Sequence, residues 1–587
     1  MSSKDTARSK LQPFQLLLIL FFTGCLIGIC PFSRNLVITM GEHAIGRKLG
    51  DLTKWNQVIM HTLALFATFA AIWYGLWYTE QGKGIYTSLK DTVRQAFCAR
   101  RAWKQLAVLF ALYVLCYLTV LRADYNYEDD LRRFISGHKS WVGTSRFVSE
   151  IAAVFLHTTF YISDISPFTQ LYALAELAAA SYILAYVITD GRITKRVLFA
   201  AVCLGISPFY VENLAYKFDS PYMAFAMLFG VMPFLFIKNI KAYAAASVIS
   251  LLLVCASYQA ANSVYIVLAI FMAFMFWQQQ KPWKHIGIFA AVSIVCYLLS
   301  LLYFKYALMI DTFDSKDMHV TNGILQLILS NLSGYCTAVA ETYGNLWMKF
   351  FTGLTFCLFP VSAAVSAKMQ KRNPMAAAAF AAAVLMLMLL LSFGAYLAIG
   401  NVSFVHRAFM GFDALLAIAA VYNITALSAA PRLTYTAGLT LAGLFYGLFI
   451  HVAVTGNLFL KQAKYEDFRY TLLTGDLSRI IPADTTCSIY LHGVPGAAAA
   501  GYREYMNYGK NIGGKTAGWT SYLLQYKNMN FDFAAIESYD GALSEEEAAE
   551  YVKLPMLLDT YYHTIYGQGT KFYVELKNPQ VKEYCID

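Results

Sequence analysis

Residues 375–399 read MAAAAFAAAVLMLMLLLSFGAYLAI, a run without a single charged side chain. At about 1.5 Å of rise per residue, a helix of this length crosses the roughly 30 Å hydrocarbon core of a bilayer. Residues 57–78 form a second such block, and the whole chain is 58% hydrophobic, 14% charged and has a mean hydropathy of +0.49. Because an ordinary soluble domain carries about 25% charged residues, the composition predicts a polytopic membrane protein and excludes a soluble one.

About thirteen apolar blocks are long enough to be membrane-spanning helices. They cover 13–31, 57–78, 105–121, 168–188, 196–212, 221–237, 242–258, 262–278, 285–304, 346–367, 375–399, 408–428 and 433–455. The first block follows a basic start, as a signal peptide does, but no clear small-residue cleavage site follows it. We therefore predict a retained helix there.

The basic residues of the connecting segments orient these spans. With the N-terminus inside, nearly every inside loop is basic, which is typical of cytoplasmic loops. These loops are 79–104, 189–197, 238–241, 279–285, 368–374 and a short loop with Arg432. The exception is Phe32–Trp55, which is expected outside although it carries Arg34, Arg47, Lys48 and Lys54. The net charge of +10 is thus explained by cytoplasmic loops rather than by nucleic-acid binding, and the C-terminus is expected outside.

The chain divides into three predicted parts. Residues 1–104 form a transmembrane hairpin and a basic cytoplasmic loop, and residues 105–456 form a transmembrane core with an extracytoplasmic loop at 122–167. Residues 457–587 are polar and long enough to bury a core, so we expect an extracytoplasmic α/β domain. Its predicted strands are Cys487–His492 and Lys571–Leu576, and its predicted helices are Ser544–Val552 and Pro555–Tyr562.

Two further expectations concern the outside segments and the cysteines. Tyr306–Leu346 is expected to be a large outside loop. Cys487 and Cys585 are the two cysteines of the C-terminal part; they could pair in an oxidising compartment or remain free thiols. The other cysteines lie mostly in apolar blocks, and no spacing of Cys and His indicates a metal site.

An acidic segment follows the span 105–121 directly: Asp124-Tyr-Asn-Tyr-Glu-Asp-Asp-Leu-Arg-Arg-Phe134. If this segment becomes helical, Asp129 and Asp130 share a face with Arg133, at spacings of four and three residues. One carboxylate could then be a general base while the arginine binds a phosphate. The alternative is structural, with acids favoured by the dipole at a helix N-terminus and ordinary ion pairs.

Other polar groups are expected on the same side of the membrane. They are Arg146, Asp164, the residues Glu212, Asn213, Tyr216, Lys217 and Asp219 of one short loop, and His406 with Arg407. Ionisable groups gathered at one membrane depth indicate a functional site.

These motifs resemble those of the bacterial glucosyltransferases that modify O-antigen and convert serotype, within the GT-C superfamily. The resemblance rests on Tyr127-x-Asp129-Asp130-x-x-Arg133, the Arg146 stretch, Asp164-x-Ser-Pro, and Ser207-Pro-Phe followed by Glu212-Asn-Leu-x-Tyr216-Lys-Phe-Asp219-Ser. It covers roughly residue 106 to the C-terminus and leaves residues 1–104 unexplained. Lys217 stands where the family often has arginine, so the bidentate fork of a guanidinium is missing there.

The resemblance implies a membrane hexosyltransferase. Its donor would be a hexose, glucose by resemblance, on polyprenyl phosphate, and its acceptor an envelope glycan such as O-antigen of lipopolysaccharide. Transfer would invert the anomeric centre, on the periplasmic side of the bacterial cytoplasmic membrane, without metal or other cofactor. A partner flippase and a polyprenyl-phosphate glucosyltransferase would supply the donor.

The implied roles fall on specific residues. Asp129 and Asp130 are the catalytic pair, with Asp129 preferred as the base, and four cations bind the donor phosphate: Arg133, Arg146, Lys217 and Arg407. The substrate-binding residues are Tyr127, Asp164, Glu212, Asn213, Tyr216, Asp219 and His406.

A transporter or flippase of a lipid-linked saccharide is the alternative function. Such a protein should show internal repeats and Gly/Pro-broken helices near the midplane, and the sequence has no convincing repeat. A non-catalytic scaffold is a third reading, which leaves the acidic pair without a role.

Overall fold

A computed structural model describes residues 67, 69–71, 74–75, 77–309, 323–400, 402–481, 487–493, 495–501 and 553–578. The predicted span 13–31, most of the predicted span 57–78, the predicted helix Ser544–Val552 and Cys585 lie outside the described residues.

The described part of the chain is mostly helical. Its α-helices are α1 (Glu80–Phe97), α2 (Arg100–Ala123), α3 (Asp130–Ser136), α4 (Phe147–His157), α5 (Phe168–Thr189), α6 (Lys195–Ala201), α7 (Pro208–Ala215), α8 (Ser220–Val231), α9 (Ile240–Ser257), α10 (Asn262–Gln278), α11 (Trp283–Tyr303), α12 (Ile324–Thr342), α13 (Leu346–Met369), α14 (Pro374–Leu391), α15 (Met410–Ala426) and α16 (Pro431–Ile480). Short 3₁₀ turns extend or connect several of them, at Val142–Thr144, Val202–Leu204, Met232–Phe236, Gln259–Ala261, Gly394–Ala398, His406–Ala408 and Leu427–Ala429.

Nine of the described helices are long and apolar enough to cross a membrane. They are α2, α5, α9, α10, α11, α13, α14, α15 and α16, and each coincides with a predicted span. The predicted span 221–237 appears as the shorter apolar helix Ser220–Phe236. These helices confirm the membrane class, and the total of thirteen spans stays a prediction.

The predicted span 196–212 is a broken helix. Its halves, Lys195–Leu204 and Pro208–Ala215, are bent by 67° relative to each other. Pro208 cannot continue a preceding helix but fits the first turn of a new one, and the Ser207 side chain caps α7 by accepting from the backbone N–H groups of Phe209 and Tyr210. The break therefore follows from the local sequence.

The large outside segments contain more helix than predicted. Loop 122–167 holds α3, a 3₁₀ turn and α4. Tyr306–Leu346 is not simply a loop, because α12 occupies residues 324–342. Helix α16 runs unbroken through the predicted domain boundary at residues 456–457.

Contacts between loops agree with the predicted sidedness. Arg101 at the start of α2 donates to the Ile193 carbonyl at 2.8 Å, and Lys238 pairs with Asp190 at 2.8 Å. Each contact joins loops that the charge pattern assigns to the inside. The predicted functional residues also contact one another, so they lie together at one end of the helix bundle.

The C-terminal residues form a four-stranded sheet in the order β1-β4-β3-β2, with β1 and β4 parallel and the other pairs antiparallel. The strands are β1 (Ser488–Gly493), β2 (Met556–Asp559), β3 (His563–Gln568) and β4 (Lys571–Leu576). Both predicted strands are confirmed within one residue. The helix predicted at Pro555–Tyr562 is wrong, because this short segment pairs with β3 as a strand, and sheet pairing overrides weak local preference. The sheet packs on the end of α16 through a buried cluster that contains Leu473 and Leu477.

Candidate active site

The two acids of the predicted catalytic pair occupy very different environments. Asp130, at the start of α3, is fully buried and accepts the backbone N–H groups of Tyr127 at 3.2 Å, Lys217 at 2.9 Å and Phe218 at 3.3 Å. The Asp129 side chain is 51% exposed and lies 3.7 Å from Arg133. Asp130 therefore ties α3 to the segment after α7, and Asp129 is the acid that a substrate can reach.

Electrostatics reinforces this division. Burial raises the pKa of Asp130 to about 7, although the hydrogen bond from the Lys217 backbone acts in the opposite direction. A pKa near 7 suits a general base, but a base must also reach the proton that it accepts. Since Asp130 is enclosed and bonded to three backbone groups, we place it as a structural acid.

Arg133 is buried and already balanced by acids. It pairs with Asp219 through a very short contact and with Asp129 at 3.7 Å, as the four-residue spacing predicted. Its guanidinium also lies 4.9 Å from the ring of Trp141, whose indole N–H donates to Asp219 at 2.5 Å. Asp219 thus holds α3 and Trp141 at the start of α8.

Lys217 is also buried and balanced. Its ammonium lies 2.5 Å from Asp124 and 3.7 Å from Asp164. Asp164 further accepts the backbone N–H and the hydroxyl of Ser166, at 2.8 Å and 2.5 Å. These contacts connect the end of α2, the loop before α5 and the segment between α7 and α8.

Glu212 on α7 holds Arg407 in place. The carboxylate accepts from the Arg407 guanidinium at 2.7 Å and from its backbone N–H at 2.8 Å. Arg407 also donates to the Tyr216 hydroxyl at 2.5 Å, and the Tyr127 hydroxyl donates to Glu212 at 3.4 Å. Asp129 and Arg407 both interact electrostatically with the Tyr216 hydroxyl, so the exposed acid lies beside this cluster.

Arg146 differs from the other three cations. It lies 4.7 Å from the ring of Tyr258 and donates to the side-chain oxygen of Gln259 at 3.3 Å. Within the described residues, its guanidinium has no carboxylate in ion-pair distance. The Tyr258 hydroxyl donates to the Arg407 carbonyl at 3.3 Å, and both arginines interact electrostatically with Tyr258 and Tyr396. Arg146 and Arg407 therefore flank one aromatic group.

Comparison with known proteins identifies the family of this chain. Residues 118–424, a little over half of the chain, match the family described as glucosyl transferase GtrII. The chain belongs to the GtrII glucosyltransferase family. The matched range contains every predicted site residue, from Tyr127 to Arg407.

A relative in Salmonella phage P22, described as an uncharacterized 55.3 kDa protein in gtrB 5'region, is 26% identical over 128 residues. That stretch is 22% of this chain and 26% of the relative, so the match spans about a quarter of the relative's length. No solved structure matches this chain.

In this GtrII-family chain, the two remaining predicted substrate-binding residues are largely enclosed. His406 contacts the Thr342 hydroxyl at 3.0 Å, and burial lowers the pKa of its imidazole. Asn213 is almost fully buried, and neither atom of its amide has a hydrogen-bond partner among the described residues.

Sequence reasoning missed the residues that contact Lys217 and Arg146 in the folded chain. Asp124, Tyr258 and Gln259 were not predicted, yet they balance Lys217 and hold Arg146. One signal was available for Tyr258 and Gln259, because the polar run Ser257-Tyr-Gln covers the end of predicted span 242–258 and the start of the short connection to the next span, on the site's side.

An apolar groove of about 390 Å³ lies beside the site, between α4, α5 and α8. Its apolar lining includes Val148, Ala152 and Phe225, and Ser257 at the end of α9 brings it next to Tyr258. Phe155 on its rim is 78% exposed, which is typical of a surface that faces lipid. Glu176 is the one carboxylate in the described lining.

Proposed function

We propose that this GtrII-family protein transfers a hexose, specifically glucose, from polyprenyl phosphate to an envelope glycan such as O-antigen, at the outer face of the bacterial cytoplasmic membrane. The family supports glucosyl transfer in O-antigen modification. The observation that carries the proposal is a half-exposed carboxylate, Asp129, which lies 3.7 Å from Arg133 and shares with Arg407 an electrostatic interaction with the Tyr216 hydroxyl, in a chain with nine apolar helices among its described residues.

In the proposed reaction, Asp129 is the general base. An acceptor hydroxyl loses its proton to Asp129 while its oxygen attacks the anomeric carbon of the hexose. The bond from that carbon to the phosphate oxygen breaks, and polyprenyl phosphate leaves with the bonding electron pair. Because the attack comes from the face opposite the leaving group, a single base suffices and the configuration inverts.

Arg146 and Arg407 are proposed to hold the donor phosphate. The phosphate is anionic in the bound donor and stays anionic as its bond to the sugar breaks, so fixed cations bind it in both states. Arg146 has no carboxylate to displace, and Tyr258 keeps it near Arg407. Arg407 is paired with Glu212, but its side chain is 30% exposed, whereas those of Arg133 and Lys217 are 7% and 4% exposed. Arg133 and Lys217 would therefore act mainly by fixing the loops around Asp129.

The groove between α4, α5 and α8 is proposed to take the polyprenyl chain. Its volume falls in the usual range of ligand sites, about 300–1,000 Å³, and its exposed rim would let a lipid enter sideways from the membrane.

One observation favours the transporter alternative. The broken span at Lys195–Leu204 and Pro208–Ala215 is of the kind that transporters use at their binding sites. In this chain, however, the second half of that span carries Glu212, which holds Arg407. The break therefore has a role in the proposed active site as well.

The test is transfer of label from polyprenyl-phosphate glucose to lipopolysaccharide by the purified full-length protein. Arg146→Ala should raise the donor KM by roughly tenfold or more, as expected when a charge-assisted contact to phosphate is lost. Arg122→Ala is the matched control, because Arg122 ends α2 on the same side and bonds Asn457 instead. Movement of labelled lipid between leaflets without transfer to lipopolysaccharide would refute the proposal in favour of a transporter.

A further inference from the structure

Asp413 is a carboxylate fully buried in the first turn of the membrane-spanning helix α15. It accepts a very short hydrogen bond from the Ser207 hydroxyl, and its other oxygen has no hydrogen-bond partner among the described residues. An ionisable group at such a place is costly and usually has a function. The proposed reaction does not use it.

The Ser207 hydroxyl connects Asp413 to helix α7. A serine hydroxyl has one donor and two acceptor positions. Here the donor goes to Asp413, and the oxygen accepts from the backbone N–H groups of Phe209 at 3.2 Å and Tyr210 at 3.4 Å. Asp413 therefore orients the hydroxyl so that its lone pairs cap α7.

A second tie joins the same two segments. Glu212, five residues after Ser207, holds Arg407, which lies six residues before Asp413. The ring of Phe209 packs between the two ties, stacked on Phe409 at 4.5 Å between ring centroids. One contact would let α7 pivot against α15, whereas two contacts with a packed ring between them fix its orientation.

We propose that Asp413 is a positioning residue for the donor-phosphate site. It fixes the cap of α7, α7 fixes Glu212, and Glu212 fixes the Arg407 guanidinium. Asp413 itself touches no substrate. The inference rests on the proposed function only for the statement that Arg407 binds the donor phosphate.

Two variants of Asp413 separate its acceptor from its charge. Asp413→Asn keeps an oxygen for the Ser207 hydroxyl, and Asp413→Leu removes it. The matched control is Asn423→Leu, which removes a buried polar group at the other end of α15 that bonds Ser362 and Thr355, each at 2.8 Å. All three variants are made in the full-length chain and purified in detergent.

The first measurement is backbone hydrogen exchange of residues 209–216, which needs no transfer activity. Asp413→Leu should speed their exchange by roughly tenfold or more, as expected for lost local stability. Asp413→Asn and Asn423→Leu should leave it near wild type. An unchanged exchange rate in Asp413→Leu would refute the proposal that Asp413 helps to fix α7, and this result does not depend on whether wild type transfers sugar. Equal acceleration in Asp413→Asn would show that charge matters and overturn the acceptor role.

The second measurement is the kinetics of transfer from polyprenyl-phosphate glucose to lipopolysaccharide. Loss of binding shared by ground and transition state raises KM without changing kcat. Asp413→Leu should therefore raise the donor KM by roughly tenfold and leave the acceptor KM unchanged. Asn423→Leu should lower the melting temperature by a similar amount to Asp413→Leu but should leave the donor KM unchanged. Faster exchange with an unchanged donor KM would refute the positioning role and leave the proposed function standing.

Discussion

Replacing each acid of the catalytic pair by its amide should separate catalysis from structure. Asp129→Asn loses only a half-exposed contact at 3.7 Å to Arg133, which is worth under about 1 kcal/mol. It should therefore fold normally. If Asp129 is the base, transfer should fall by about 10² or more, because an amide cannot accept the proton.

The magnitude for Asp130 comes from its three backbone hydrogen bonds. Asp130→Leu leaves three buried N–H groups unbonded at about 1–3 kcal/mol each, or roughly 3–9 kcal/mol in total, enough to unfold the outer loops. Asp130→Asn can keep its oxygen on the N–H groups of Tyr127 and Lys217 and loses only the bond from Phe218. It also removes the cost of burying an ion, about 4 kcal/mol for a pKa raised to about 7 from about 3.9. The lost hydrogen bond destabilises the fold and the removed cost of burying an ion stabilises it, so Asp130→Asn should stay folded.

The assay is labelled-glucose transfer to lipopolysaccharide, with the melting temperature of each purified variant as the structural control. The reasoning is wrong if Asp129→Asn transfers at the wild-type rate, or if Asp130→Asn loses transfer while melting like wild type. The second result would make Asp130 the base despite its burial. If both amides transfer normally, Glu128, Asp164 and Glu212 are the next acids to test.

Three further predictions follow from the same contacts. The folded-state pKa of Asp130 is raised to about 7. Its contribution to stability is therefore complete below pH ~3.9, and about 4 kcal/mol of it is lost as pH rises through 7. The melting temperature of wild type minus that of Asp130→Asn should fall over this pH window, and a difference that stays constant would contradict the burial of Asp130. Arg146→Lys loses the planar stack on Tyr258 and should weaken donor binding by roughly tenfold, measured as donor KM; an unchanged KM would remove Arg146 from the phosphate site. Gly456→Ala would place a Cβ 2.4 Å from the backbone nitrogen of Val120, so it should lower the free energy of unfolding by about 1–3 kcal/mol. Gly438→Ala in the same helix is the control, because its Cβ meets nothing within 4 Å. Equal melting temperatures of the two variants would mean that α2 and α16 approach less closely.

Hydropathy and local chemistry made much of the fold predictable. Membrane spans are recognisable because lipid imposes a length and excludes charge, and the nine spans found among the described residues all fall where the sequence placed them. Strand Lys571–Leu576 was also predictable from its own composition. Helix α12 and strand β2 were not, because each depends on a partner, such as β3 for β2, that no local pattern reveals.

The sequence by itself determined which residues would gather at one end of the bundle, since spans of fixed length carry their outer ends to the same side. The tertiary structure decided what each residue does there. Asp129 and Asp130 are adjacent and chemically identical, yet one is half exposed and the other is bonded to three backbone groups. Likewise, Lys217 is balanced by Asp124 while Arg146 lies on Tyr258 without a described carboxylate. Burial and charge balance depend on neighbours distant in sequence, and only the folded chain brings those neighbours together.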